Sequence, residues 1–306
     1  MDKNRVDEKR LGWSYGGQAV IEGVLMRGAY TSAIAVRRPD TGEIVVKAEP
    51  VSGLYRGALS KIPFLRGIPM LWDALGLGMR ALFYSAEVVG QAEDPDFTMS
   101  GGAGIATGAF SMLFAVALFM VLPSWLAGLL VQGNDLLFNA VEGLIRLLLL
   151  VGYMAVVGQM EDVRRVFAYH GAEHKTINAY EDGAPLTVEA VRAYSTAHAR
   201  CGTAFLLMVV LISILVFAPL GRPSLLVRIA TRLLMVPVIS GIAYELLRFT
   251  GKHTDSPIVR LFIQPNLALQ RLTTREPDDE MLAVAITALS AVLEGEEELQ
   301  QAPSSI

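Results

Sequence analysis

The chain holds four histidines, and three of them, His170, His174 and His198, fall within 29 residues. Imidazole is the commonest metal-binding side chain, so this clustering marks where chemistry would sit. His170 and His174 lie four residues apart in YHGAEHKTINAYE; on a helix that spacing stacks both rings on one face, as two ligands of one ion require. Glu173 between them completes H-x-x-E-H, the inverted zincin pattern, in which the histidines bind zinc and the carboxylate takes the proton of an attacking water. The third ligand has several sources: His198 and Cys201, which form an H-x-x-C pair, Glu181, two turns beyond His174, and Glu245, which matches the distal acidic ligand of inverted zincins. Asn178, one turn after His174, is placed to orient a ligand or a substrate carbonyl. Gly171 weakens the helix and predicts a bend inside the motif. The competing readings are a surface helix with scattered His and Glu, and an ordinary small buried cysteine at 201. His253, in GKHTDSP, reads as a loop residue.

These residues must be positioned by a chain of 306 residues that is 53% apolar and only 18% charged, with a mean hydropathy of +0.44. Soluble domains carry about 25% charged residues, so the composition excludes a disordered chain and points to a membrane. A net charge of −4 gives no basic footprint for nucleic acid, and the single cysteine excludes an internal disulfide. The opening MDKNRVDEKR carries both signs of charge and no apolar core follows it, so no cleaved signal peptide is expected.

Four spans are expected. Ala103 to Leu122 is long enough to cross a ~30 Å hydrocarbon core; Pro123 ends it, and Pro123 to Asp135 reads as a short connection. Leu136 to Gly158 is apolar except for Glu142 and Arg146, whose i, i+4 spacing lets them neutralise each other. Cys201 to Gly221 carries no charge, and Leu225 to Leu247 is apolar apart from Arg228, Arg232 and Glu245, with Pro237 and Gly241 predicting a kink. Residues 1 to 100 hold twelve Lys or Arg, the connection between spans two and three holds five, and that between spans one and two holds none. The positive-inside bias therefore places both termini and the central loop in the cytoplasm.

Residues 1–100 are expected to form a cytoplasmic region. SAIAVRRP and EIVVKAEPV alternate around Asp40-Thr41-Gly42 as a β-hairpin does. Leu71 to Val89 reads as an amphipathic helix with Asp73, Arg80 and Glu87 at seven-residue intervals. Residues 101–160 hold spans one and two, residues 161–200 the cytoplasmic segment with the histidine motif, and residues 201–248 spans three and four. In residues 249–306 the run TTREPDDE opens a helix through Leu282, Ala285, Leu289 and Val292, and EGEEELQQAPSSI reads as a solvated tail. The glycine-rich GGQAVIEGVLMRG reads as a packed β turn docking on the helices and matches no phosphate loop.

GGQAVIEGVLMRG, HGAEHKTINAYE, HARCGT and LQRLTTREPDDE, in this order from Tyr15 to about Ala288, resemble the YqhQ-like family of bacterial membrane proteins. The resemblance implies a metal-dependent enzyme of the bacterial cytoplasmic membrane with its site at His170, Glu173, His174, His198 and Cys201. This chain departs from the family's pattern at Ala199, where a Pro is common. The fold class expected is mainly α: a polytopic helical membrane protein with a small α+β cytoplasmic portion. The leading functional expectation is a zinc (or other divalent transition metal) hydrolase of peptide or lipid-linked bonds, with Glu173 as general base and His198, Cys201 or Glu245 as third ligand. The alternative is a non-enzymatic assembly or scaffold protein with a membrane protein partner, in which a metal or the histidine cluster is structural. The lipid bilayer is a partner on either reading, and no nucleic acid is expected. Against a transporter, no internal repeat relates a pair of broken helices.

Overall fold

The computed structural model describes residues 15–51, 62–99, 102–198, 201–253 and 256–301. MDKNRVDEKR at the start and APSSI at the end lie outside the described residues, as does Ala199.

Three successive antiparallel pairings make a four-stranded meander, β1 (Gly16–Val20), β2 (Gly23–Arg27), β3 (Thr31–Arg37) and β4 (Ile44–Pro50). The expected turn around Asp40 joins β3 to β4, and Gly42 adopts a left-handed φ of 71° there. The glycine-rich motif is the β1–β2 hairpin. Its two-residue turn puts Glu22, a non-glycine, at φ 50°, a conformation costing roughly 1 kcal/mol or more. Arg165 holds that side chain through two bonds of 2.6 Å, and the Tyr169 hydroxyl donates to it at 3.2 Å.

Alternation along the strands sends successive side chains to opposite faces, and both faces are covered. Val24, Met26, Ala33 and Ala35 pack on α5 (Glu161–Glu181) and α10 (Asp279–Gln301). Val20, Leu25, Ile34 and Val36 pack on α1 (Gly67–Glu93) through Leu77, Ala81 and Val88. The amphipathic helix read from sequence is therefore the cover of the sheet. Glu296 corrects the solvated-tail expectation: it is 2% exposed, inside α10, and accepts the amides of Tyr30 at 2.6 Å and Thr31 at 3.0 Å.

Among the described residues, three helical segments are long and apolar enough to cross a membrane: Gly104–Leu130, Asp135–Val157 and Leu225–Gly251. The first corrects the reading of Pro123 as a break. Helix α2 (Gly102–Val116) runs through a π-helical segment (Ala117–Val121) into α3 (Leu122–Leu130). In α register the Phe119 carbonyl would pair with the N–H of residue 123, which proline lacks; Arg146 Nε donates to that carbonyl instead, at 2.9 Å. Helix α4 (Asp135–Val157) follows, capped by the Asn134 side chain. Helix α8 (Leu225–Lys252) is continuous through Pro237. Gly241 is a crossing point: a Cβ on Gly67 would lie 2.7 Å from its Cα.

The third expected span, α7 (Gly202–Phe217), has 16 residues, about 24 Å at 1.5 Å per residue, and falls short of the other three. It still traverses the bundle. Cys201 at its start neighbours His170, whereas Ala218 and Gly221 beyond its end accept hydrogen bonds from Asn139 near the start of α4. Helix α9 (Pro257–Thr273) returns beside α7 and α4 through Leu269, and a short helix α6 (Val188–Val191) lies between α5 and α7. Large apolar side chains face outward along the long helices, Leu113 at 70%, Leu226 at 80% and Leu234 at 78% exposure.

Candidate functional site

Helix α5 carries the motif, opened by Glu161 and Asp162 at the positive end of its dipole. It is unbroken from 161 to 181, Gly171 included. The glycine serves packing instead: a Cβ there would overlap the backbone carbonyl oxygen of Arg275. The segment after α9 thus lies directly on α5, fixed by the Arg275 N–H on the Phe167 carbonyl at 2.9 Å.

This close approach aims the first histidine. The Thr273 carbonyl lies 2.8 Å from His170 Nδ1, and since a carbonyl only accepts, Nδ1 carries a proton, which in the neutral tautomer leaves the lone pair to Nε2. The Thr196 carbonyl does the same to His174 Nδ1 at 2.6 Å. Asn178 donates to the Ser195 and Ala197 carbonyls at 2.8 and 3.1 Å, so it orients the loop that orients His174. His170 Nε2 is 3.2 Å from Cys201 Sγ, and one ligand atom from each of His170, His174 and Cys201 lies within 4.8 Å of the others. A tetrahedral ion with bonds of about 2.0 to 2.3 Å would hold its ligands roughly 3.3 to 3.8 Å apart. Carbonyls on the far nitrogens of two histidines are the outer-sphere arrangement that metal-ligating imidazoles use.

His174 is 1% exposed, and burial pushes its imidazole below the usual range, keeping it neutral. Its Nε2 makes no hydrogen bond among the described residues. Cys201 is buried at the N-cap of α7, its Sγ 3.4 Å from the Thr203 amide. Burial pushes the Glu173 carboxyl upward, with His170, His198 and the Gly17 amide drawing it back. One oxygen, Oε2, is buried with no partner among the described residues. A Cβ on Gly17 would lie 2.9 Å from Glu173 Cδ, so the glycine-rich hairpin reads directly onto the motif's carboxylate.

The structure brings together His170, His174 and Cys201, with Glu173 beside them. His198 is close but turned away: its ring centroid is 5.7 Å from that of His174, and its Nε2 sits 3.6 Å from Glu181 Oε2. Gln270 locks the His198 backbone from both sides, at 3.0 and 2.8 Å. Glu245 is not brought to the cluster. It pairs with Arg66 through two contacts of 2.5 Å and accepts the Phe64 amide, an interface role that satisfies its charge. His253 caps α8 and stacks on Phe249. Sequence reasoning missed Thr196 and Thr273, which act through backbone carbonyls and leave no side-chain signal. Gln270 offered one: a lone amide in the apolar run LALQRL.

A family model described as "Protein of unknown function (DUF1385)" matches residues 62–295. The chain is 36% identical over 306 residues to the Uncharacterized protein YqhQ of Bacillus subtilis (strain 168), across 95% of this chain and 96% of that relative. No solved structure matches it. The resemblance carried by the four motifs is thereby established, and neither description names an activity.

Proposed function

We infer the function of this chain, which belongs to the DUF1385 family, from its own side chains: a metal-dependent hydrolase of the bacterial cytoplasmic membrane, cleaving a peptide or lipid-linked bond at the cytoplasmic surface. One observation carries this reading, the gathering of one ligand atom each from His170, His174 and Cys201 within 4.8 Å, with each ring held from behind by a carbonyl. These three would hold a divalent transition metal, which when bound supplies Lewis acidity toward the scissile carbonyl or phosphoryl oxygen. Glu173 is the general base: its unpartnered Oε2 is free to take a proton from water, and burial raises its affinity for that proton. The membrane assignment is supported by three long apolar helices with outward-facing leucines. Taking α7 as a fourth crossing makes the number even, and the loops' Lys and Arg favour the cytoplasm for both termini.

A second reading has its own support. The ligand set joins α5, which packs on the sheet, to the mouth of α7 in the helical bundle, so a metal there would pin the two parts of an assembly protein together. Metal analysis of untagged protein in detergent, beside His170→Ala and His174→Ala, tests the shared premise. Near-stoichiometric metal lost in both variants is expected; a folded protein that takes up none after zinc addition refutes it. Glu173→Gln then divides the readings in cells depleted of the native protein. Metal retained with function lost supports the hydrolase, and full function with a stoichiometric membrane partner in pull-downs supports the assembly role.

A further inference from the structure

The two edges of the sheet differ. At one, β4 carries Lys47, Glu49 and Pro50, residue types that keep a further strand from pairing on an edge. At the other, β1 reads GGQAV and carries none of them, and no described strand pairs with its outer side. Which of its backbone groups face outward follows from β2. Arg37 N–H donates to the Glu22 carbonyl and Gly28 N–H to the Thr31 carbonyl, both at 2.8 Å. Ladder bonds alternate from one side of a strand to the other, so Val24 and Met26 bond β3 while Gly23, Leu25 and Arg27 bond β1. Their partners there are Val20, Gln18 and Gly16. Gly17 and Ala19 therefore aim their N–H and carbonyl groups out of the sheet, and Gly17 and Gln18 are exposed.

This edge leads to the candidate site. Helix α5 runs antiparallel beside β1: Arg165 and Tyr169 meet Glu22, Glu173 meets Gly17, and the ring of Tyr180 packs on that of Tyr15. Tyr169, Ala172 and Tyr180 turn into the core shared with the sheet. At about 100° per residue, Glu173, His170 and His174 lie roughly 40°, 100° and 140° round from Tyr169, all to one side. That side is the one beyond the edge of β1, because Glu173 accepts the outward N–H of Gly17. A row of unpaired N–H and carbonyl groups is complementary to an extended polypeptide backbone, and a lipid-linked headgroup offers no matching ladder. We propose that the free edge of β1 takes the substrate as an added strand, which rests on the hydrolase reading above and makes the bond cleaved a peptide bond. The Gly17 carbonyl and the Ala19 N–H and carbonyl hold the peptide, and pairing along β1 carries it past Glu173 toward His170, His174 and Cys201.

The test uses the full, untagged chain in detergent with EDTA present, and a pool of random proline-free hexapeptides carrying a benzophenone. Photocrosslinks mapped by mass spectrometry are expected on β1 and its neighbours on α5. A competing pool N-methylated at every residue cannot donate to the strand and is expected to displace the probe about tenfold less well than the unmethylated pool. Ala19→Pro removes an outward N–H and spares the β1–β2 bonds, proline being tolerated on an edge with its nitrogen facing outward; it is expected to cut capture about tenfold. Should that variant fold poorly, the N-methylated pool on the native chain decides. Absence of capture, as an edge already filled by another segment of the chain would give, overturns the proposal. So do crosslinks confined to other elements, equal competition by the N-methylated pool, or unchanged capture by folded Ala19→Pro. Zinc uptake by the same preparation, measured after EDTA is removed, tests the hydrolase reading separately. Capture without zinc uptake supports the strand pairing and refutes that reading, whereas zinc uptake without capture refutes the strand pairing alone.

Discussion

Replacing Gly171 with alanine sets two effects of opposite sign against each other. Alanine is worth about 1 kcal/mol more than glycine in a helix interior, so propensity alone predicts a gain in α5. The structure predicts a loss. The new methyl would overlap the Arg275 carbonyl oxygen and approach Thr196 Cγ2 to 3.3 Å. That carbonyl cannot rotate away, because its segment is tied by Arg275 N–H to Phe167 at 2.9 Å and by Thr274 N–H to Gln270 at 2.8 Å. Overpacking costs about 1 to 3 kcal/mol, and displacing the segment forfeits a hydrogen bond of about 1 kcal/mol. Taking roughly 3 for their sum and subtracting the propensity gain leaves a net destabilisation of about 2 kcal/mol, or about 4 to 8 °C in melting temperature. Thermal unfolding in detergent measures it, with Gly76→Ala as the control. A Cβ on Gly76 of α1 meets nothing within 4 Å, so that variant should gain up to about 1 kcal/mol. A Gly171→Ala protein that melts as high as the control would refute the packing argument, and with it the claim that glycine is there to let the 273–275 backbone reach His170.

Glu142→Gln leaves Arg146 and Arg232, which both pair with this buried carboxylate, facing a neutral amide and should destabilise the protein by about 3 to 5 kcal/mol. The double variant with Arg232→Gln should recover part of that, and a purely additive pair would contradict the ion pair. Glu296→Ala removes the acceptor of the Tyr30 and Thr31 amides and should cost about 2 to 4 kcal/mol; an unchanged melting temperature would argue that the end of α10 is not part of the core. At the exposed β3–β4 turn the Arg38 guanidinium holds the Asp40 carboxyl down to about 2. A depressed carboxylate pKa stabilises above its unfolded value and loses that contribution as pH falls through the folded one. Carbon NMR should therefore show Asp40 titrating near 2, and Arg38→Ala should return it toward about 3.9.

Spacing made part of the site legible. Residues four apart on a helix share a face whatever the tertiary structure, so His170 and His174 could be paired from sequence, and Cys201 is a candidate through its H-x-x-C pair with His198 at the mouth of the third expected span. Glu245 and His198 were indistinguishable from it by the same criteria. Their partners, Arg66 and Glu181, come from segments whose approach no local pattern encodes. Pro123 misled for a related reason: the rule that proline ends a helix assumes the freed carbonyl finds no other donor, and Arg146 is that donor. The carboxyl-terminal run of glutamates is polar in composition, yet Glu296 turns inward because the β2–β3 connection has amides to satisfy.

The histidine cluster draws on most of the chain's length. Glu173 rests on Gly17 near the start, and His170 takes its aim from Thr273. On the ribosome, both histidines and the cysteine emerge well before that carbonyl does, and until it arrives the His170 ring is free to turn. A product interrupted before residue 273 therefore keeps the donor side chains but lacks the orientation of one of them, so the centre is completed only once residue 273 has been made.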